Sequence, residues 1–324
     1  MITFEDALTL VSQKIKDIHY PKQPARLYEP IAYLLNLKGK KIRPALTLLA
    51  YNLYADDVQK AVNMALAWEI FHNFTLMHDD MMDLADLRRG ELTVHQKWDN
   101  NTAILSGDAM LILAYKYLAK YPMNMVLKNL LDLFSITAAE ICEGQEYDMQ
   151  FETRTDVREE EYLNMIRLKT AVLVGACLKS GAILADADAK DQDALYDFGI
   201  NIGIAFQIQD DLLDVYGNEA VFGKKIGGDI LCNKKTFLLV CALNNSDEQS
   251  KTELLQWLSV HDQPDAKIKA VTELYDKLQL KKKAVAQIES YYGNALRALD
   301  KMNVAKDKQT VLTQLATELL HRTV

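Results

Sequence analysis

His78-Asp79-Asp80-Met81-Met82-Asp83-Leu84-Ala85-Asp86-Leu87-Arg88-Arg89-Gly90 returns later in the chain, in reduced form, as Gln209-Asp210-Asp211-Leu212-Leu213-Asp214. In both places two adjacent aspartates are followed by a third, four positions after the first. On a helix this spacing stacks the first and last carboxylates on one face, where like charges repel. Each set follows an apolar run, Trp68, Ile70, Phe71, Phe74, Leu76 and Met77 before the first and Ile200, Ile202, Ile204, Ala205, Phe206 and Ile208 before the second. Carboxylates at the end of a buried helix stay ionised only when cations compensate them. Clustered oxygen ligands suit Mg²⁺, whose shell is completed by water and substrate phosphates. The two stretches therefore predict helices that end at a metal-bridged polyphosphate.

Around them, long unpunctuated segments predict an all-α fold. Only 13 Gly and 6 Pro occur in 324 residues, and no Pro lies between Pro44 and Pro122 or between Pro122 and Pro264, a pattern that favours helices over strands. Hydrophobic residues make up 49%, enough for a sizeable core, and no domain boundary is visible, so residues 1–324 are expected to form one domain. The net charge of -8 speaks against nonspecific binding to nucleic acid or anionic membrane. No apolar run is long enough for a membrane span, and the N-terminus lacks the basic and apolar regions of an export signal. Cys142, Cys177, Cys232 and Cys241 form no CxxC pair and are expected to be reduced core thiols of a cytoplasmic protein.

Helices are predicted over about 58–84, 100–120, 124–150 and 189–216. Pro44 is expected at the first position of a helix that follows Lys38-Gly39-Lys40-Lys41-Ile42-Arg43, where open amides and cations together outline a phosphate site. His72 precedes Asp79 by seven residues, about 20° around the helix, so both face one space. Arg88 and Arg89 follow the first acidic set, and arginine forks well onto phosphate oxygens. Lys169-Thr170 lies on another helix, on which Gly175 and Gly181 mark close packing or a kink. The glycine-rich piece from Gly217 to Lys235 carries Lys224, Lys225, Lys234 and Lys235, as a loop that closes over an anion would. Glu140, Glu143, Glu146 and Asp148 read as a solvated face, and so does Lys281-Lys282-Lys283.

The ordered set of motifs, GKxxRP, HDDxxD, RRG, TVH, Lys-Thr, FQIxDDxLD, FGK and GDI with a following KxT, resembles the trans-isoprenyl diphosphate synthases (polyprenyl synthetases) over nearly the whole chain. The resemblance implies an isoprenoid synthase-type helical bundle around a deep central cavity. It also implies a prenyltransferase that condenses isopentenyl diphosphate with a dimethylallyl, geranyl or farnesyl diphosphate. Three Mg²⁺ ions per active site are expected, with Asp79 and Asp83 as direct ligands beside Asp80, and Asp210 as a direct ligand supported by Asp211 and Asp214. Lys40, Arg43, His72 and Arg89 match isopentenyl diphosphate contacts. Arg88, Lys169, Lys224 and Lys234 match contacts to the allylic diphosphate, and Thr170 and Gln207 match polar positions near the carbocation. Leu92 stands where proline is usual, and Asn233 where glycine often precedes the lysine. A homodimer is implied as well.

Product length in the family is set by bulk upstream of the first motif, here Phe74 with Thr75 after it and Phe71 a turn deeper. Phe74 and Phe71 lie roughly 7.5 and 12 Å below Asp79 along an ideal helix. Ideal helix angles put Phe71 and Thr75 nearer the Asp79 face, so Phe74 is singled out by the resemblance. The expected product is an all-trans C15–C20 prenyl diphosphate, geranylgeranyl diphosphate ahead of farnesyl. Two alternatives share the fold: a terpene cyclase, which should carry a different second metal motif, and a non-catalytic subunit of a heteromeric synthase, which should lack an aspartate motif.

Overall fold

The structure, a computed structural model, describes residues 1–217 and 226–320. Among them the only strands are Leu87–Arg88 and Glu91–Leu92, an antiparallel pair that turns at Gly90. Everything else regular is helical, as the scarcity of Gly and Pro requires.

The helices in chain order are α1 (Phe4–Lys16), α2 (Ala25–Asn36), α3 (Ile42–Asn52), α4 (Val62–Met82), α5 (Val94–Lys97), α6 (Asn100–Leu118), α7 (Met125–Glu152) and α8 (Glu159–Ile166). There follow α9 (Val172–Leu184), α10 (Ala189–Tyr216), α11 (Gly228–Leu231), α12 (Phe237–Asn245), α13 (Glu248–Leu258), α14 (Pro264–Lys277), α15 (Leu280–Asp300) and α16 (Lys306–Leu320). The chain falls into two compact units built from interleaved segments: Met1–Phe134, Cys177–Asp193 and Val304–Val311 form one, Ser135–Ala176, Ala194–Asn303 and Leu312–Val324 the other.

In the first unit α4 packs along α6 and α3. Its core is aromatic: the Trp68 ring stacks on Phe134 at 4.8 Å, Phe71 meets Phe134 edge-on at 5.1 Å, and the indole nitrogen donates to Ser180 Oγ at 3.0 Å. Gly181 marks close packing here, because a Cβ on it would stand 2.3 Å from the Thr47 carbonyl oxygen. In the second unit a separate apolar core joins Ile204, Ile208 and Leu212 of α10 to Tyr162, Phe237, Val271 and Tyr275. Each acidic stretch is thus the end of a helix whose preceding turns are anchored in a core, which fixes the direction in which its carboxylates leave.

Several local expectations are corrected. The first acidic helix starts at Val62, after a 3-10 turn over Val58–Ala61, rather than near 58. Pro44 is the third residue of α3, because Lys41 takes a left-handed φ of 45° and lets the helix begin at Ile42. All four cysteines are free, but only Cys177 and Cys241 are buried, while Cys142 and Cys232 are exposed. Burial pushes both buried thiols up to about 12. Glu140 and Asp148 are only half-exposed and ion-paired, and Lys283 binds Glu159, so neither charged run is simply a solvated face.

Candidate active site

The first unit carries one acidic and one basic group of side chains. Asp79, Asp80 and Asp83 occupy the last turn and C-cap of α4. They do not behave alike. Asp80 is buried and gripped by Arg88, whose Nε lies 2.8 Å from both carboxylate oxygens and whose Nη2 lies 2.6 Å from Oδ1. A buried pair of this kind costs about 3–5 kcal/mol to break on one side, so Asp80 and Arg88 hold the hairpin after α4 in place. Asp79 is half-buried and Asp83 exposed, one turn apart. His78, ahead of them, packs edge-on to Phe74 at 4.9 Å.

The basic group gathers on the other expected residues. The Arg89 guanidinium lies over Gly39, where a Cβ would sit 2.5 Å from Nη1. Arg43 Nη1 stands 3.2 Å from His72 Nε2. Because guanidinium only donates, that ring nitrogen accepts and His72 is neutral with its proton on Nδ1. Burial, then Arg43, Arg89 and Arg88, hold its proton affinity well below the ordinary 6.5. Beneath lies Glu69, 2% exposed and bonded by Asn73 Nδ2 at 3.0 Å. Burial lowers the proton affinity of Lys41 and Arg89, and the Glu69 charge opposes this in both. A group of cationic side chains with one buried carboxylate and a neutral imidazole can accept a diphosphate without any covalent chemistry. Glu69 was legible as a lone acid inside the run Trp68-Glu69-Ile70, but its purpose was not.

The second unit holds the remaining residues. Asp210, Asp211 and Asp214 lie in the last two turns of α10. Again the middle one is used by the fold: Asp211 is buried, accepts the Tyr162 hydroxyl, and accepts the Phe237 amide at 2.8 Å on the same oxygen. Burial pushes its carboxyl up to about 7 against the opposing pull of Lys234, Tyr162 and the Phe237 amide. Asp214 Oδ2 accepts the Asp229 amide at 3.0 Å, and Asp214 O accepts the Gly227 amide at 2.7 Å, tying the return loop to the acidic helix. Asp210 is half-buried.

Lys169 and Thr170 sit on a π-helical turn, Arg167–Ala171, between α8 and α9. Such turns carry one extra residue and often serve functional sites. This one points Lys169 Nζ to Asp148 Oδ2 at 2.6 Å, Arg167 Nη1 to Glu140 Oε1 at 3.4 Å, and Thr170 Oγ1 to Gln207 Oε1 at 3.4 Å. Gly144 lets α7 approach it, since a Cβ there would stand 2.3 Å from the Lys169 amide nitrogen. Gln207 in turn donates to Asp211 Oδ1 at 3.3 Å. Lys234 is half-exposed, 3.7 Å from Asp229 Oδ1. Lys224 lies outside the described residues, together with Gly223, Lys225 and the C-terminal His321-Arg322.

The fold is helical, with an aspartate triplet at the end of α4, another at the end of α10, and cationic side chains gathered around Gly39 and His72. The polyprenyl synthetase family matches residues 24–277, and the chain belongs to that family. It is 38% identical over 274 residues to the short chain isoprenyl diphosphate synthase of Methanocaldococcus jannaschii, covering 85% of this chain and 83% of that one. A crystal structure of a geranylgeranyl pyrophosphate synthase superposes with a TM-score of 0.95 at 44% identity, over 100% of both chains. The geranylgeranyl pyrophosphate synthase of Corynebacterium glutamicum, solved with isoprenyl diphosphate and magnesium, superposes with a TM-score of 0.83 at 26% identity over 98% of this chain and 97% of that one.

The state of His72 sets a pH dependence. Its folded proton affinity lies below the ordinary 6.5, so the unfolded chain binds more protons there and stability falls as pH drops through that value. Thermal melts without ligand should show a smaller loss between about pH 7.5 and about pH 5.5 for His72→Gln than for the parent chain. Identical slopes would show that His72 is not held neutral by its surroundings.

Proposed function

We propose that the protein is a trans-prenyltransferase that condenses isopentenyl diphosphate with an allylic diphosphate to an all-trans C15–C20 prenyl diphosphate, geranylgeranyl diphosphate above others. Residues 1–324 work as one catalytic domain, in the cytoplasm; among the described residues no helix is long and apolar enough to cross a membrane. The single observation that carries the reading is the division of labour within both aspartate triplets. Asp80 and Asp211 are buried and bound into the fold, Asp214 Oδ2 accepts the Asp229 amide, and Asp79, Asp83 and Asp210 are the candidate direct ligands for a metal-bound diphosphate, with Asp214 beside Asp210.

The donor set fits Mg²⁺. All candidate ligands are hard carboxylate oxygens, which suit this ion, whose shell is commonly completed by water and substrate phosphate. Asp79 and Asp83 on α4 and Asp210 on α10, the last beside Asp211 and Asp214, would hold three ions, and these would stabilise the negative charge of the departing diphosphate. Lys169, Lys224, Lys234 and Arg88 assist at the same allylic diphosphate. Lys40, Arg43, His72 and Arg89 hold isopentenyl diphosphate, whose double bond attacks the allylic cation, and the proton then released goes to the departed diphosphate. Thr170 and Gln207 present side-chain dipoles to the cation. No protein nucleophile is needed.

Ile104, Leu105 and Ile112 stand 46–60% exposed on α6, within about 100° of one another around the helix. This apolar stripe supports the homodimer, and sedimentation should find twice the chain mass at micromolar concentration; a monomer would refute it.

Asp79→Ala and Asp210→Ala should each abolish product formation at saturating Mg²⁺ while circular dichroism keeps its helical signal; unchanged turnover would refute the assignment. Phe74 is the half-buried candidate for the floor of the product channel, whereas Phe71 is 1% exposed in the aromatic core and Thr75 Oγ1 donates to the His72 carbonyl at 2.8 Å. Phe74→Ala should therefore lengthen the product, and adding Phe71→Ala should lengthen it further at a stability cost of about 3–5 kcal/mol. The same chain lengths from parent and double variant with labelled isopentenyl diphosphate would remove the floor.

A further inference from the structure

Lys267, on α14, is among the largest fully buried side chains of the molecule, at 1% exposure. No motif singled it out. Among the described residues no carboxylate pairs with it. Its ammonium is instead surrounded by oxygens: Asn233 Oδ1 at 2.7 Å, Val260 O at 3.1 Å, Leu231 O at 3.4 Å and Leu258 O at 3.5 Å. Leu231 and Leu258 are the last residues of α11 and α13, so the charge lies where open carbonyls and the negative ends of helix dipoles offset the absence of a counterion. A buried unpaired ammonium is costly in water-free surroundings, and a methionine would fill the same volume without it. What the charge adds is a fixed geometry among three chain segments.

One of these segments leads directly into Lys234. Asn233 adopts a left-handed φ of 55°, a conformation that costs most residues free energy and asparagine less. Its side chain is held at both ends, the oxygen by Lys267 and the amide nitrogen by the Leu258 carbonyl at 2.8 Å. On the other side of Lys234 the chain is pinned again: Lys235 Nζ donates to the Glu152 carbonyl at 3.0 Å, and the Phe237 amide donates to Asp211. Lys234 is thus a half-exposed cation between two clamped neighbours, 3.7 Å from Asp229 and within electrostatic reach of Asp211.

We propose that Lys267 is a positioning residue for the allylic diphosphate: acting through Asn233, it sets the direction in which Lys234 leaves the backbone. This rests on the reading of Lys234 as an allylic diphosphate contact.

The test is a double-mutant cycle on the full chain with Mg²⁺, isopentenyl diphosphate and geranyl diphosphate. Lys234→Ala should raise KM for the allylic substrate; no rise would overturn the reading of Lys234 itself. Lys267→Met should raise the allylic KM by about tenfold, equivalent to about 1.4 kcal/mol, while KM for isopentenyl diphosphate stays within about twofold. In the Lys234→Ala background the same substitution should add nothing, because nothing remains to be positioned. If Lys234→Ala raises the allylic KM but Lys267→Met does not, or if its effect persists in full without Lys234, or if both KM values rise together, Lys267 is merely structural. Should Lys267→Met fail to fold, Asn233→Gly decides the matter: glycine takes the φ without strain and removes both side-chain links, the 2.7 Å one to Lys267 and the 2.8 Å one to the Leu258 carbonyl, and it should raise the allylic KM alone. An allylic KM unchanged by Asn233→Gly would equally overturn the proposal.

Discussion

Three carboxylates within a turn and a half of helix repel one another, and the chain places such a triplet at the end of α4 and again at the end of α10. Everything nearby follows from how that repulsion is relieved. In each triplet the middle aspartate turns into its own unit and is neutralised there. Asp80 is held by the fork of Arg88, and Asp211 by the Tyr162 hydroxyl and the Phe237 amide. Those bonds also fix the segments that follow, the hairpin after α4 and the start of α12. The structural aspartate and the candidate ligands therefore cannot be varied independently: loosening Asp80 would move the helix end that carries Asp79 and Asp83.

Much of this is legible in the sequence. Helical spacing, the lack of Gly and Pro and the apolar runs ahead of each triplet led to an all-α fold, and the motif order led to the polyprenyl synthetase family. Periodicity cannot tell one aspartate of a triplet from another, because the difference lies in partners distant in sequence: Arg88 is eight positions from Asp80, but Tyr162 is 49 positions from Asp211. The π-helical turn under Lys169 and Thr170 was invisible for a related reason. It depends on α7 approaching at Gly144 and on ion pairs to Glu140 and Asp148, and those acids read as an ordinary solvated face when taken in sequence alone. Lys267 carried no signal either, since its oxygens come mostly from backbone.

Two aromatic residues show where ideal helix angles and packing part company. Helix angles favoured Phe71 as the residue below Asp79, yet Phe71 is fully enclosed by Trp68 and Phe134. Phe74, which the resemblance singled out, meets only Phe71 and His78 among the described aromatic rings. A ring less confined by the core is the one whose size can change at a lower cost in stability.

The claim on which all of this rests is that the outer aspartates hold Mg²⁺ and that Mg²⁺ holds the diphosphate that leaves. The most direct measurement is to incubate the purified chain alone with Mg²⁺, labelled isopentenyl diphosphate and an allylic primer, and to chromatograph the dephosphorylated products with and without a chelator. The account predicts linear all-trans prenyl alcohols, the C20 species foremost, that disappear when the metal is chelated. A cyclic hydrocarbon, elongation that survives chelation, or no elongation at all would contradict it.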